Sequence, residues 1–159
     1  PEVESLLEVF ANKALFDQSP EAFLTSGSSV LKVEKDATQT GPSDITRRNI
    51  TFLPGTGTWL KAGSIAYDID NNKAQFDIAK FTISSACFKS THELIELARK
   101  KIGKDAIYDK TPPPNAGESL YWRRKDPDIN FSRYIEVNAS KDIYEIIANR
   151  DPSSEGAGG

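Results

Sequence analysis

From Val3 to Leu15 the apolar positions Val3, Leu6, Leu7, Phe10, Ala14 and Leu15 fall on one helical face. That spacing predicts an amphipathic helix, and Glu2, Glu4 and Glu8 crowd the turns where the helix dipole favours acid. Ser19-Pro20-Glu21 then reads as an N-cap followed by proline in the first turn, opening a second, short helix that carries Phe23 and stops at Gly27. Residues 30–33 read as a short strand. Residues 34–48 are polar and hold the breaker run Gly41-Pro42-Ser43-Asp44, which predicts a loop or insertion.

Residues 49–53 and 58–61 read as strands around a turn at Pro54-Gly55-Thr56-Gly57. Residues 63–70 alternate, with Ile65, Tyr67 and Ile69 on one face and Ala66, Asp68 and Asp70 on the other. Asn71-Asn72 suits the positive φ of a tight hairpin turn. On the return strand Phe76 and Ile78 have one parity and Phe81 and Ile83 the other, so a bulge is expected near Ala79-Lys80. Ser90-Thr91-His92-Glu93 has the form of a capping box, and Leu94, Ile95, Ala98 and Ile102 continue it as a helix closed by Lys100, Lys101 and Gly103. Beyond it, 106–108, 119–124 and 130–138 read as strands. Residues 141–149 fit either period and are assigned to a strand by their Ile and Tyr content.

The order helix, strands, helix, strands predicts an α+β fold, an antiparallel β-sheet with helices on one face. One domain over residues 1–150 is expected, with 1–88 and 89–150 as candidate helix-plus-meander halves, followed by a disordered Gly/Ser-rich tail at 151–159.

Composition narrows the function. Across 159 residues, 20 Lys plus Arg stand against 23 Asp plus Glu, a net charge of −3. A nucleic-acid partner is not expected without a basic excess. No apolar run reaches the roughly 18 residues of a membrane span. One Cys and one His preclude an internal disulfide and any zinc site built from three or four such ligands, so no metal and no cofactor are expected. The chain starts at Pro1 and has no Met, and three Asn-x-Ser/Thr sequons occur at Asn49, Asn130 and Asn138. Removal of a preceding segment is therefore expected, with a signal peptide as one source. A periplasmic or secreted location follows from that reading, and a cytoplasmic one is the alternative.

The candidate chemistry is sparse. Cys87 and His92 lack the companions of a nucleophilic site and read as a buried thiol and a solvent-facing histidine. Gly55-Thr56-Gly57 lacks the lysine of a phosphate loop, and Asp68-x-Asp70-x-Asn72 lacks the glycine and glutamate of a calcium loop. Paired acids (Asp68, Asp70 and Asp77; Glu136 and Glu145) support an alternative reading, a small hydrolase or ligand-binding enzyme with a carboxylate cleft.

The feature that points to recognition is Tyr121, Trp122, Arg123 and Arg124 beside the stiff Pro112, Pro113 and Pro114. Tyr, Trp and Arg are the residues enriched at binding hot spots. Alternation puts Trp122 inward with Leu120 and leaves Tyr121 and Arg123 outward. The expected function is a non-enzymatic protein-binding domain, with an inhibitor or immunity-type role toward a toxin or envelope enzyme as its specific form.

Overall fold

The hairpin predicted by the alternation around Ile65 and Tyr67 lies at the middle of the molecule. A computed structural model describes residues 2–42, 44–54, 59–111 and 116–153. In it, β3 (Leu60–Asp70) turns at Asn71 and Asn72, whose φ of 50° and 62° are those of a tight hairpin, into β4 (Lys73–Ile83). The partners run Ala66 with Ile78, then Tyr67 with Phe76, so Asp77 is the extra residue. The bulge expected at Ala79-Lys80 thus falls two residues earlier. It turns Ala79, Phe81 and Ile83 to the same side as Phe76.

The remaining described strands are β1 (Val33–Thr40), β2 (Thr46–Phe52), β5 (Ile107–Thr111), β6 (Gly117–Arg124), β7 (Phe131–Ser140) and β8 (Tyr144–Pro152). All pair antiparallel in one eight-stranded sheet of order β1-β2-β3-β4-β8-β7-β6-β5. Two four-strand meanders therefore meet along β4 and β8, from Ile78 opposite Asn149 to Ile83 opposite Tyr144. The fold is α+β, as the order of elements predicts.

Several sequence expectations change. Of the strand expected over residues 30–33, only Val33 lies in a strand, as the first residue of β1. Residues 34–48 are a β-hairpin, not a loop. β1 is an edge strand exposed on both faces, so no apolar period marks it, and its register comes from backbone pairing with β2 and from the fork of Arg48 on Asp36 (2.9 and 2.6 Å). Residues 141–149 divide into a turn and β8. That strand runs on through Asp151 and Pro152, opposite Ser132 and Phe131, so these two residues belong to the sheet and not to a tail; 154–159 lie outside the described residues. The first helix, α1 (Glu2–Ala11), stops before Ala14 and Leu15. The Asn12 side chain takes the Ala14 N–H, and the Arg124 guanidinium takes the carbonyls of Phe10, Ala11 and Asn12. Leu15 and Phe16 are buried all the same, so their spacing recorded burial and not helix.

Helix α2 (Pro20–Gly27) begins as the sequence predicts, with Ser19 Oγ accepting the Ala22 N–H at 3.1 Å. Helix α3 (Thr91–Ile102) does not: Ser90 occupies the cap position, but its side chain makes no capping bond, and Glu93 accepts from Lys89 N–H at 2.9 Å. Ser90→Ala is therefore expected to change stability by less than about 0.5 kcal/mol, where loss of a working cap would cost about 1 kcal/mol. A urea midpoint shifted by the larger amount would show that Ser90 caps the helix in solution.

The core lies between the helices and one face of the sheet. Phe10 packs edge-on to Phe81, Phe16 to Phe76, and α3 lies over β6 and β7. In β6 to β8 the burial alternates residue by residue. Leu120, Trp122, Ile135, Val137, Tyr144, Ile146 and Ala148 turn inward, and their neighbours face the other side. Among the described residues no helix is long and apolar enough to cross a membrane.

Candidate functional site

Because strand side chains alternate, the inward set just named leaves its complement on the uncovered face. Across β6, β7 and β8 that complement includes Tyr121 and Arg123, Tyr134 and Glu136, and Ile147 and Asn149. Arg123 is directly opposite Tyr134, and Tyr121 opposite Glu136, so the two tyrosines are diagonal neighbours. Their rings stack with centroids 5.2 Å apart and 26° between planes. Diagonal cross-strand aromatics reach one another in this way.

Tyr134 is held from below. Its hydroxyl accepts from Asn149 Nδ2 at 2.8 Å and lies 3.1 Å from Asp151 Oδ2, to which it donates. Burial, aided by the Asp151 carboxylate, keeps this phenol above its ordinary pKa against the bond from Asn149, so it remains a neutral donor. Tyr121 leans on that anchored ring. Arg123 is exposed, and its side chain makes no hydrogen bond or ion pair among the described residues. At the β6–β7 end, a shallow cavity of about 530 Å³ adjoins Arg123, lined also by Lys125, Phe131 and Ile129, which is 80% exposed.

The recognition residues expected from sequence are thus divided. Tyr121 and Arg123 share the open face. Trp122 is buried and donates through Nε1 to Gly103 O at 3.0 Å, fastening the end of α3 to β6. Arg124 is half-buried on the helix side, where its guanidinium closes the C-terminus of α1. Both take part in holding the fold together. Pro112, Pro113 and Pro114 lie outside the described residues, as do Gly55, Thr56 and Gly57.

Three of the five acidic candidates are tied to cations, and Asp70 and Glu136 have no ion-pair partner among the described residues. Arg47 holds Asp68 at 3.2 Å and Asp77 at 2.7 Å, and Lys80 holds Glu145 at 3.2 Å. Cys87 is exposed, not buried: the 3-10 turn Ser85–Cys87 carries it outside the core. Partial desolvation of the thiol, with the nearby Glu2 carboxylate, still pushes it above its ordinary pKa.

His92 is exposed as expected, yet its Nδ1 bonds Glu118 Oε1 at 2.9 Å. Glu118 also accepts from Tyr108 OH at 2.6 Å and Thr91 Oγ1 at 2.8 Å. Burial alone would raise the Glu118 carboxyl, but the bonds from Tyr108, His92 and Thr91 outweigh it and hold it at about 2. The sequence does not mark this cluster. The one available signal, a glutamate at an inward position of a strand between Gly117 and Leu120, needs the register of β6 to be read. No family model, no curated protein and no solved structure matches the chain, so its site is defined by its own geometry.

Proposed function

We propose that the chain is a protein-binding domain that engages its partner with the open face of the sheet around Tyr121, Tyr134 and Arg123. The observation that carries this reading is the stacked tyrosine pair beside an exposed arginine whose side chain is unpaired, on a face no helix covers, among the described residues. Tyrosine and arginine supply large contact area and several donors, and they dominate binding hot spots. Tyr134 is already locked by Asn149 and Asp151, so little side-chain freedom is lost when a partner settles on it. The specific form we favour is an inhibitor or immunity-type protein acting on a toxin or envelope enzyme, outside the cytoplasm. A preorganised, strand-built face suits the occlusion of another protein's surface.

The test places a photo-crosslinking residue at position 121, and separately at Lys61 as a control, in an extract of the source cells. An adduct specific to position 121 identifies the partner; the same adducts at both positions, or none, overturn the reading. With that partner, Tyr121→Ala and Arg123→Ala are each expected to weaken binding by about 2 kcal/mol. Arg123→Glu is expected to slow association with an acidic partner most at low salt. Wild-type affinity in both alanine variants, with folding intact by circular dichroism, would remove the sheet face as the site.

A further inference from the structure

A groove of about 780 Å³ opens between the first turn of α1, the outer side of α3 and the 3-10 turn. It is remote in sequence from the tyrosine face and does not depend on it. Its apolar wall is made by Val3, Trp59, Phe88 and Leu97. Val3 and Trp59 are nearly buried, so the wall belongs to the core's margin and is not a scatter of exposed side chains. The volume falls in the range of small-molecule sites, roughly 300–1,000 Å³.

The rim has a strong sign. Glu2 and Glu4 enter from α1 and Glu93 and Glu96 from α3, against the single cation Lys100. Two of these acids are neutralised in place, Glu96 by Arg99 at 2.7 Å and Glu4 by Lys101 at 3.7 Å. Glu2 and Glu93 have no cationic partner among the described residues; Glu93 takes only the Lys89 backbone N–H. The Glu2 carboxylate disfavours the Cys87 thiolate against a weaker opposite pull from the chain's amino terminus, so its field reaches the 3-10 turn at the groove's edge. An apolar wall beneath two carboxylates that lack an ion-pair partner, on a rim whose one cation is Lys100, is complementary to one class of ligand.

We propose that this groove is a binding site for an organic cation, an apolar body ending in a protonated amine. The body lies against Trp59 and Leu97, and the ammonium is held between Glu2 and Glu93. A neutral molecule of the same shape loses the ion pairing, and an anionic one meets two carboxylates.

Cys87 makes the test direct, because it is the chain's single cysteine and lies on the groove. The full chain is alkylated with iodoacetamide and followed by intact mass, with 4-butylbenzylammonium, 4-butylbenzyl alcohol or 4-butylbenzoate as the added probe. Amide shifts of Ala86, Cys87 and Leu97 are recorded in parallel. The ammonium probe is expected to slow alkylation saturably and to shift these amides, binding about tenfold more tightly than the alcohol, and the benzoate to do neither. The double change Glu2→Gln and Glu93→Gln, which keeps an acceptor for the Lys89 N–H, is expected to bring the ammonium to the alcohol's affinity. Ala86→Trp, which fills the groove, is expected to abolish protection while leaving a dispersed amide spectrum. No protection by the ammonium at millimolar concentration, equal protection by the benzoate, or an unchanged ammonium preference in the Gln variant would each overturn the proposal.

Discussion

Replacing Asp126 with Ala is expected to lower the unfolding free energy by about 3–5 kcal/mol. The carboxylate is almost wholly enclosed, with 1% of its side chain exposed, and it joins three parts of the chain. It accepts from Arg133 Nε at 2.8 Å, from Arg150 Nε at 2.7 Å and from the Asp128 N–H at 2.9 Å. Arg133 in turn reaches Asp17 with both terminal nitrogens, at 3.2 and 2.7 Å, and so fastens the segment after α1 to the sheet. Phe16 and Phe131 lie under the two guanidinium groups, which excludes water from them. Two positive and two negative charges close the network. Without Asp126, Arg133 keeps only Asp17 and Arg150 keeps no ion-pair partner among the described residues, so the cost is that of an uncompensated buried charge more than that of the lost bonds. Urea unfolding followed by circular dichroism checks this, and a midpoint within error of wild type at unchanged slope would sink it. Asp126→Asn should recover only a minor part of the loss, because it restores shape and an acceptor but no charge.

Glu118 carries the second large effect, and its signature is in pH. Its folded-state value of about 2 lies below that of an unfolded glutamate, which is about 4.3. A depressed carboxyl contributes stability that is fully present above the unfolded value and is lost as pH falls through the folded one. Stability is therefore expected to decline between about pH 4.5 and pH 2, as protonation of Glu118 weakens its hold on Tyr108, His92 and Thr91. Glu118→Gln should flatten that part of the profile, and Glu118→Ala should cost about 2 kcal/mol at neutral pH. The alanine penalty stays moderate because Tyr108 and His92 are both exposed and can turn to water. A wild-type acid profile in the Gln variant would show that other carboxyls govern acid unfolding.

These two clusters also mark the limit of sequence reading. Asp17 and Arg133 are separated by 116 positions, and each member of the network by itself has the look of a loop or strand-end charge. Nothing local distinguishes Asp126, which is enclosed, from Asp128 two residues on, which is exposed. The Glu118 cluster is hidden for the same reason, since it forms only when α3 is laid across β6.

Elements with their own periodicity were legible. The hairpin at Asn71-Asn72, α2 with its Ser19 cap and the inward place of Trp122 all follow from local alternation or local capping, which operate over a few residues whatever the rest of the chain does. Tyr121 and Arg123 were placed on the outer face by the same parity. Their partner ring, Tyr134, required the β6–β7 register. The strand β1 had no signal because an edge strand wet on both faces carries no burial pattern. In the capping box the residue types were right and the geometry differed, because Glu93 bonds Lys89 and Thr91 is drawn to Glu118.

By itself, then, the sequence determined the α+β class, the positions of most elements and which side of the alternating strands is apolar, because those depend on near-neighbour periodicity. Only the tertiary structure decided which polar residues are structural and which remain free. Trp122, Arg124, Asp126 and Glu118 are committed to the core's edges, whereas Tyr121 and Arg123 stay on the open face and Glu2 and Glu93 have no ion-pair partner among the described residues. The reason is physical: a polar side chain's role is set by what remains after its hydrogen-bonding and charge needs are met, and those needs are met by residues distant in the chain.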